Sequence, residues 1–215
     1  MTIEVMGLTK TIRGCNVLSD VTISAADGRI TGLCGANGSG KTMLLRAIAG
    51  LIKPTVGTIQ IDGKVLWKDI SFPESIGILI EQPAFLNRYS GYKNLELIAS
   101  IKREIGKDQI YDTMVVVGLD PGEKKKYKKY SLGMKQRLGI AAAIMEQPQI
   151  VLFDEPTNAL DEEGIEIFKR IACRERERGA TVVMSCHDEQ ILKELSDDIY
   201  HIESGRVIEH ECRFQ

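Results

Sequence analysis

No run of apolar residues in the 215-residue chain is long enough to cross a bilayer. The longest, Ile140 to Met145, falls far below the roughly 20 residues a spanning helix needs. Any work at a membrane is therefore expected to pass through another chain. The opening MTIEVMGLTK has neither an apolar core nor a cleavage-like site, so no signal peptide is expected. The five cysteines (Cys15, Cys34, Cys173, Cys186 and Cys212) form no C-x-x-C pair, and their number is odd. This argues against a zinc knot or a disulfide framework and for reduced thiols in a cytosolic protein. Each cysteine is by default a small buried hydrophobe. Charge excess is missing too. A formal net charge of -2 gives no electrostatic ground for expecting nucleic acid or an acidic surface as partner. No repeat, low-complexity tract or Pro/Ser linker divides the chain. With 43% hydrophobic and 27% charged residues, an ordinary globular domain is what remains.

The pattern of the remaining sequence alternates strands and helices. RITGLCG reads as a buried strand ending in glycine, and KTMLLRAIAG as a helix stopped by Gly50. GTIQIDGKVL reads as a hairpin turning at Asp62-Gly63, and SIGILIEQ as another buried strand. From Pro83 to Met145 the strands stop. SGYKNLELIASIKR, KDQIYDTMVVVGL and SLGMKQRLGIAAAIM are helix-like, the first capped by Ser90. Strand and helix alternation then resumes with QIVLFDE, DEEGIEIFKRIACRERERG and ATVVMSCH, and DIYHIESGRVIEH closes as a hairpin around Ser204-Gly205. The expected architecture is α/β: a mostly parallel sheet covered on both faces, an antiparallel β part near the N-terminus, and a helical insertion. A ligand is expected at the carboxyl ends of the strands.

GANGSGKT, Gly35 to Thr42, satisfies the phosphate-loop pattern G-x-x-x-x-G-K-[ST] in full, with a strand before it and a helix after it. The candidate nucleotide-binding residues are Gly35, Ala36, Asn37, Gly38, Ser39, Gly40, Lys41, Thr42 and Met43. Glycines let backbone N–H groups curl around phosphate oxygens, and the helix N-terminus adds positive potential. Lys41 can reach the β- and γ-phosphates, and Thr42 can ligate Mg²⁺. IVLFDEP supplies the acids such a loop needs. Four apolar residues carry Asp154 to the end of a buried strand, where an unpaired carboxylate would be costly and Mg²⁺ would explain it. Glu155 would lie beside the γ-phosphate, placed to orient the attacking water or take its proton. The bland alternative is a solvated pair of strand-end acids.

In order along the chain, GANGSGKT, EQPAF, SLGMKQR, IVLFDEPTNALD and SCH resemble the ATP-binding-cassette (ABC) ATPases, over nearly the whole sequence. The resemblance implies that residues 130–134 form the signature loop, facing the phosphate loop of a second copy. Ser131 would donate its hydroxyl to a γ-phosphate oxygen there, and Gly133 would leave room for backbone contact. The commonest family pattern is Leu-Ser-Gly-Gly-Gln. Tyr130, Leu132 and Met134 depart from it, while Ser131 and Gly133 are kept. Ser131 also reads simply as a helix cap. Gln82 resembles the glutamine that touches Mg²⁺ or the attacking water. His187 resembles the switch histidine that contacts the γ-phosphate. Asp161 matches an aspartate that communicates across the dimer, and it reads equally as an N-cap. The family's adenine-stacking aromatic is missing. Its place falls to Ile12, which offers less stacking energy, so looser base selectivity is expected.

The resemblance implies one domain over 1–215, with a core of 1–84 and 146–215 and a helical subdomain of 85–145. Its implied activity is hydrolysis of Mg·ATP to power a membrane transporter. Glu155, His187, Gln82 and Lys41 would be catalytic, and Thr42, Gln82 and Asp154 would hold the metal. Two copies would pair head to tail, and residues 83–92 would contact a transmembrane permease from the cytoplasmic side. SLGMKQRLGIA further resembles the bacterial exporters of peptide antibiotics and drugs. A soluble ABC ATPase acting on nucleic acid or ribosomes is the alternative, and an ATP sensor that does not hydrolyse is a third reading. Lys124, Lys125, Lys126, Lys128 and Lys129, interleaved with Tyr127 and Tyr130, suit a nucleic-acid patch or a solvated helix end, and the helix end is the expected one.

Overall fold

A computed structural model describes residues 1–213. Residues 214 and 215, the end of the expected domain, lie outside the described residues. Two sheets form. Strands β1 (Ile3–Ile12), β2 (Cys15–Ala25), β4 (Val56–Ile61) and β5 (Lys64–Val65) make an antiparallel sheet in the order β2-β1-β4-β5. Strands β3 (Ile30–Cys34), β6 (Ile76–Leu79), β7 (Ile150–Asp154), β8 (Thr181–Cys186), β9 (Asp198–Glu203) and β10 (Arg206–Cys212) make the second, in the order β10-β9-β3-β8-β7-β6. Every neighbouring pair of that sheet is parallel except β9 and β10. The turns at Arg13-Gly14, Asp62-Gly63 and Ser204-Gly205 hold positive φ at both central residues, from +48° to +80°. That backbone matches the strand twist of a two-residue hairpin, and the glycine in second place carries it without strain.

The parallel sheet is covered on both faces, which its sequence explains. β7 and β8 are buried at every position and are apolar almost throughout. Their alternate residues serve two separate cores. Ile150, Leu152 and Val183 pack with helix α1 (Lys41–Ile48) and the antiparallel sheet. Val151, Phe153, Val182 and Met184 pack against helices α4 (Leu132–Ile144), α5 (Glu162–Glu177) and α6 (Glu189–Leu195). Phe153 and Phe168 meet edge to face at 5.2 Å.

Helices α2 (Gly91–Lys102) and α3 (Lys107–Val116) join α4 between β6 and β7. Ser90 caps α2, its hydroxyl accepting the Lys93 N–H at 3.3 Å. The basic stretch ahead of Ser131 is not a helix end. It is a loop closing in a single 3₁₀ turn, Tyr127–Lys129, laid against α2's entry by the Tyr127 N–H, which donates to the Tyr89 carbonyl at 2.8 Å. Tyr127 and Tyr130 belong to the core, 4% and 6% exposed, so these two tyrosines offer no free aromatic faces among the lysines. Among the described residues no helix is long and apolar enough to cross a membrane.

Candidate nucleotide site

The site begins where β3 ends. A Cβ at Gly35 would strike the Ile202 carbonyl. At Gly40, φ is +113° and a Cβ would stand 3.1 Å from the Val17 carbonyl. At these two glycines the loop is thus wedged between two hairpins, and it delivers Lys41 and Thr42 as the first residues of α1. Lys41 is 5% exposed. Its ammonium folds into the loop, donating to the Gly35 carbonyl at 2.5 Å and the Ala36 carbonyl at 3.1 Å. It also lies 3.7 Å from Glu155 Oε1.

Asp154 ends β7 and is 5% exposed. Thr42 Oγ1 donates to its Oδ2 at 2.7 Å, and Ser185 Oγ of β8 donates to its Oδ1 at 2.6 Å. Two hydroxyls from opposite sides therefore fix the carboxylate. Ser185 also accepts the Glu155 N–H at 3.0 Å. Glu155 has φ +47°, a left-handed backbone rarely taken by residues with side chains. The Gln136 amide of α4 holds it there, donating to the carbonyls of Glu155 at 3.2 Å and Pro156 at 3.0 Å. Glu155 Oε2 lies 2.8 Å from His187 Nδ1 and accepts the His187 N–H at 3.2 Å. Its other oxygen, Oε1, is buried with no hydrogen-bond donor.

Two cavities flank Glu155. One of about 400 Å³ is lined by Asn37, Gly38, Gly40, Lys41, Thr42 and Met43 together with Asn16, Val17, Ser204 and Gly205. The other, about 490 Å³, is lined by Gln82, Asp154, Glu155, Gln136, Leu132 and Ala159, among others. Ser131 and Gly133 do not line the phosphate-loop cavity. Ser131 caps α4, its hydroxyl accepting the Met134 N–H at 3.1 Å, and a Cβ at Gly133 would come 2.9 Å from the Ala159 carbonyl. Ile12 ends β1, half-exposed, and it too does not line that cavity. Asp161 caps α5, accepting the Gly164 N–H at 3.0 Å and the Arg137 guanidinium at 2.9 Å. The Gly164 N–H, more than the arginine, holds its carboxyl below the usual range.

Ser185, Gln136 and the lining residues Asn16, Val17, Ser204 and Gly205 are not singled out by the sequence. Ser185 left a signal: a hydroxyl inside an apolar strand requires a partner.

The ABC transporter family model matches residues 18–158. The chain belongs to the ABC transporter family of ATPases. It is 46% identical over 205 residues to the ABC transporter ATP-binding protein YybJ of Bacillus subtilis, covering 95% of this chain and 94% of that one. Against the bacitracin transport ATP-binding protein BcrA of Enterococcus faecalis, identity is 36% over 209 residues, covering 96% of this chain and 68% of that one. The dimeric structure of the bacterial ABC transporter cassette MJ0796 superposes with a TM-score of 0.89 at 26% identity, covering 99% of each chain. The same cassette in a post-hydrolysis state, bound to ADP and Pi, gives 0.87 at 25% identity, again covering 99% of each. This ABC ATPase is thus an ATP-binding transporter subunit.

Proposed function

We propose that two copies of this ABC ATPase close head to tail on two Mg·ATP and so drive a membrane exporter. The observation that carries the proposal is a division within one chain. Lys41, Thr42, Asp154, Glu155 and His187 converge on one another, whereas Ser131 and Gly133 stand outside the phosphate-loop cavity. A site needing all of them takes the last two from a partner.

The residues fit the groups implied. At Gly35 and Gly40 the cradle leaves no free space for a Cβ, and Ser39 Oγ lies buried in the loop without a partner. Thr42, Asp154 and Gln82 offer the hard oxygens Mg²⁺ takes, and the ion would neutralise charge between the β- and γ-phosphates. Lys41 would exchange its two carbonyl partners for phosphate oxygens. Glu155 Oε1 would receive the proton of the attacking water, while His187 holds Oε2 and fixes the carboxylate's aim. Ser131 and α4's N-terminus, from the partner copy, would bind the γ-phosphate.

The permease would dock where the core meets the helical insertion. An apolar groove there is lined by Leu51, Ile78, Phe85 and Ile98 and continues past Leu86 to Ile101. The membrane association is then peripheral, on the cytoplasmic face. Export of a peptide antibiotic or related drug is supported by the signature segment and by likeness to the bacitracin transport protein. Exchanging the charges of Glu81 and Arg88 should weaken permease capture, and unchanged capture would remove residues 83–92 from the contact.

Complementation tests the shared site. Lys41→Ala and Ser131→Arg chains should each be inactive alone. Mixed, they form one intact site per heterodimer and should recover a substantial part of wild-type ATPase activity. A mixture as inactive as its components would refute a site shared between chains.

A further inference from the structure

One buried group beside the nucleotide machinery has no part in the proposed chemistry: the thiol of Cys186. The residue is wholly buried at the end of β8. Its Sγ accepts the Asp188 N–H at 3.4 Å and lies 3.7 Å from Thr157 Oγ1. Because Asp154 and Ser185 are partners across the β7–β8 ladder, the next residues on each strand, Glu155 and Cys186, emerge side by side with His187. One ligand atom from each of Glu155, Cys186 and His187 lies within 4.8 Å of the other two.

The geometry points to a binding site for a thiophilic divalent cation of the zinc type, formed by Cys186 Sγ, His187 Nδ1 and a Glu155 carboxylate oxygen. The site switches hydrolysis off while leaving ATP binding intact. Sulfur, imidazole nitrogen and carboxylate oxygen together form a donor set for zinc, and three protein ligands leave a fourth position for water. Mg²⁺, a hard ion, has no use for the sulfur, so the site discriminates against the metal that accompanies ATP. Glu155 Oε1, the oxygen that does not meet His187, is buried without a hydrogen-bond donor, 3.7 Å from the Lys41 ammonium. Binding replaces the 2.8 Å His187–Glu155 hydrogen bond with two metal bonds, shifts the ring proton of His187 from Nδ1 to Nε2, and releases the Cys186 thiol proton to solvent. It thereby occupies both the carboxylate and the imidazole on which hydrolysis depends. The phosphate loop keeps its own contacts. The Lys41 charge opposes the cation until phosphate draws the ammonium away, so occupancy should rise when nucleotide is bound.

Cobalt reads this site directly, whatever the chain's ATPase rate. Co²⁺ added to the full chain should give a thiolate-to-cobalt charge-transfer band and four-coordinate visible bands, saturating at one ion per chain. The bands should survive replacement of Cys15, Cys34, Cys173 and Cys212 by serine, and also Glu211→Gln, which disables the other close His/Glu group, His201, Glu209 and Glu211. They should vanish in Cys186→Ser or, if that chain does not fold, in Cys186→Ala. Zn²⁺ at saturating ATP should inhibit hydrolysis, a chelator should restore it, and the Cys186 variant should need at least tenfold more zinc. Its zinc-free activity should match the wild type. Absence of a sulfur band, its persistence without Cys186, or equal zinc sensitivity of the variant would each overturn the site. Loss of ATPase activity with the cobalt spectrum intact would count against the proposed hydrolysis alone.

Discussion

The side-chain amide of Gln136 donates to the backbone carbonyl of Glu155 at 3.2 Å, tying the helix that Ser131 caps to the carboxylate proposed as base. The same nitrogen reaches the Pro156 carbonyl at 3.0 Å, and the next residue, Arg137, pairs with Asp161 at 2.9 Å. Helix α4 is thus fastened to the loop after β7 at two consecutive residues. Gln136→Leu should strip the Pro156 carbonyl of its donor, while the Glu155 carbonyl keeps the Asn158 N–H, at a cost of about 1–3 kcal/mol of stability. It should also lower kcat on the order of 10- to 100-fold by displacing Glu155, with KM for ATP little changed. A raised KM with intact kcat would mean that Gln136 acts through the nucleotide pocket instead. Steady-state ATPase kinetics and urea unfolding read both.

Ser185 should tune the metal without touching it. Its hydroxyl fixes Asp154 Oδ1 at 2.6 Å and accepts the Glu155 N–H. Ser185→Ala should raise the Mg²⁺ concentration for half-maximal activity by about 10-fold or more, as loss of such supporting contacts generally does. A magnesium titration at fixed ATP checks this.

Tyr127 packs against Phe85 at 5.3 Å between ring centres and donates its hydroxyl to the Pro83 carbonyl at 2.5 Å, next to Gln82. Tyr127→Phe keeps the packing and removes one hydrogen bond. A loss of about 1 kcal/mol is expected, seen in calorimetry as a Tm lower by about 2–4 °C.

Asp161 supplies a pH test. The Gly164 N–H and then Arg137 depress its carboxyl pKa in the folded chain below the ordinary 3.8. A depressed folded-state value stabilises the fold fully above the unfolded value and ceases to do so as pH falls through the folded one. The Tm advantage of the wild type over Asp161→Asn should therefore be constant above 3.8 and shrink below it. Thermal melts across the acid range check the direction.

The phosphate loop, Asp154, Glu155 and the α/β alternation were legible because each rests on local chemistry: glycines before a lysine, acids after an apolar strand. β1 was harder to place. Three register shifts against β2 break its alternation, and Gly7 takes a positive φ within it. Helix α6, only seven residues, is too short for its period to show. The lysine run resembles a helix end in composition, yet the tertiary burial of Tyr127 and Tyr130 decides its path. Gln136 carries no local mark of its role, because its partners are backbone carbonyls 19 and 20 residues away.

The central claim is the shared site, and light scattering on Glu155→Gln tests it most directly. This change should preserve nucleotide binding while stopping hydrolysis, so that closed dimers accumulate. With Mg·ATP the mass should rise from 23.9 kDa to twice that value, and without nucleotide it should stay at the monomer. A mass that remains at the monomer while ATP is demonstrably bound would contradict the account, and the pairing of this chain with itself would be the first element to fall.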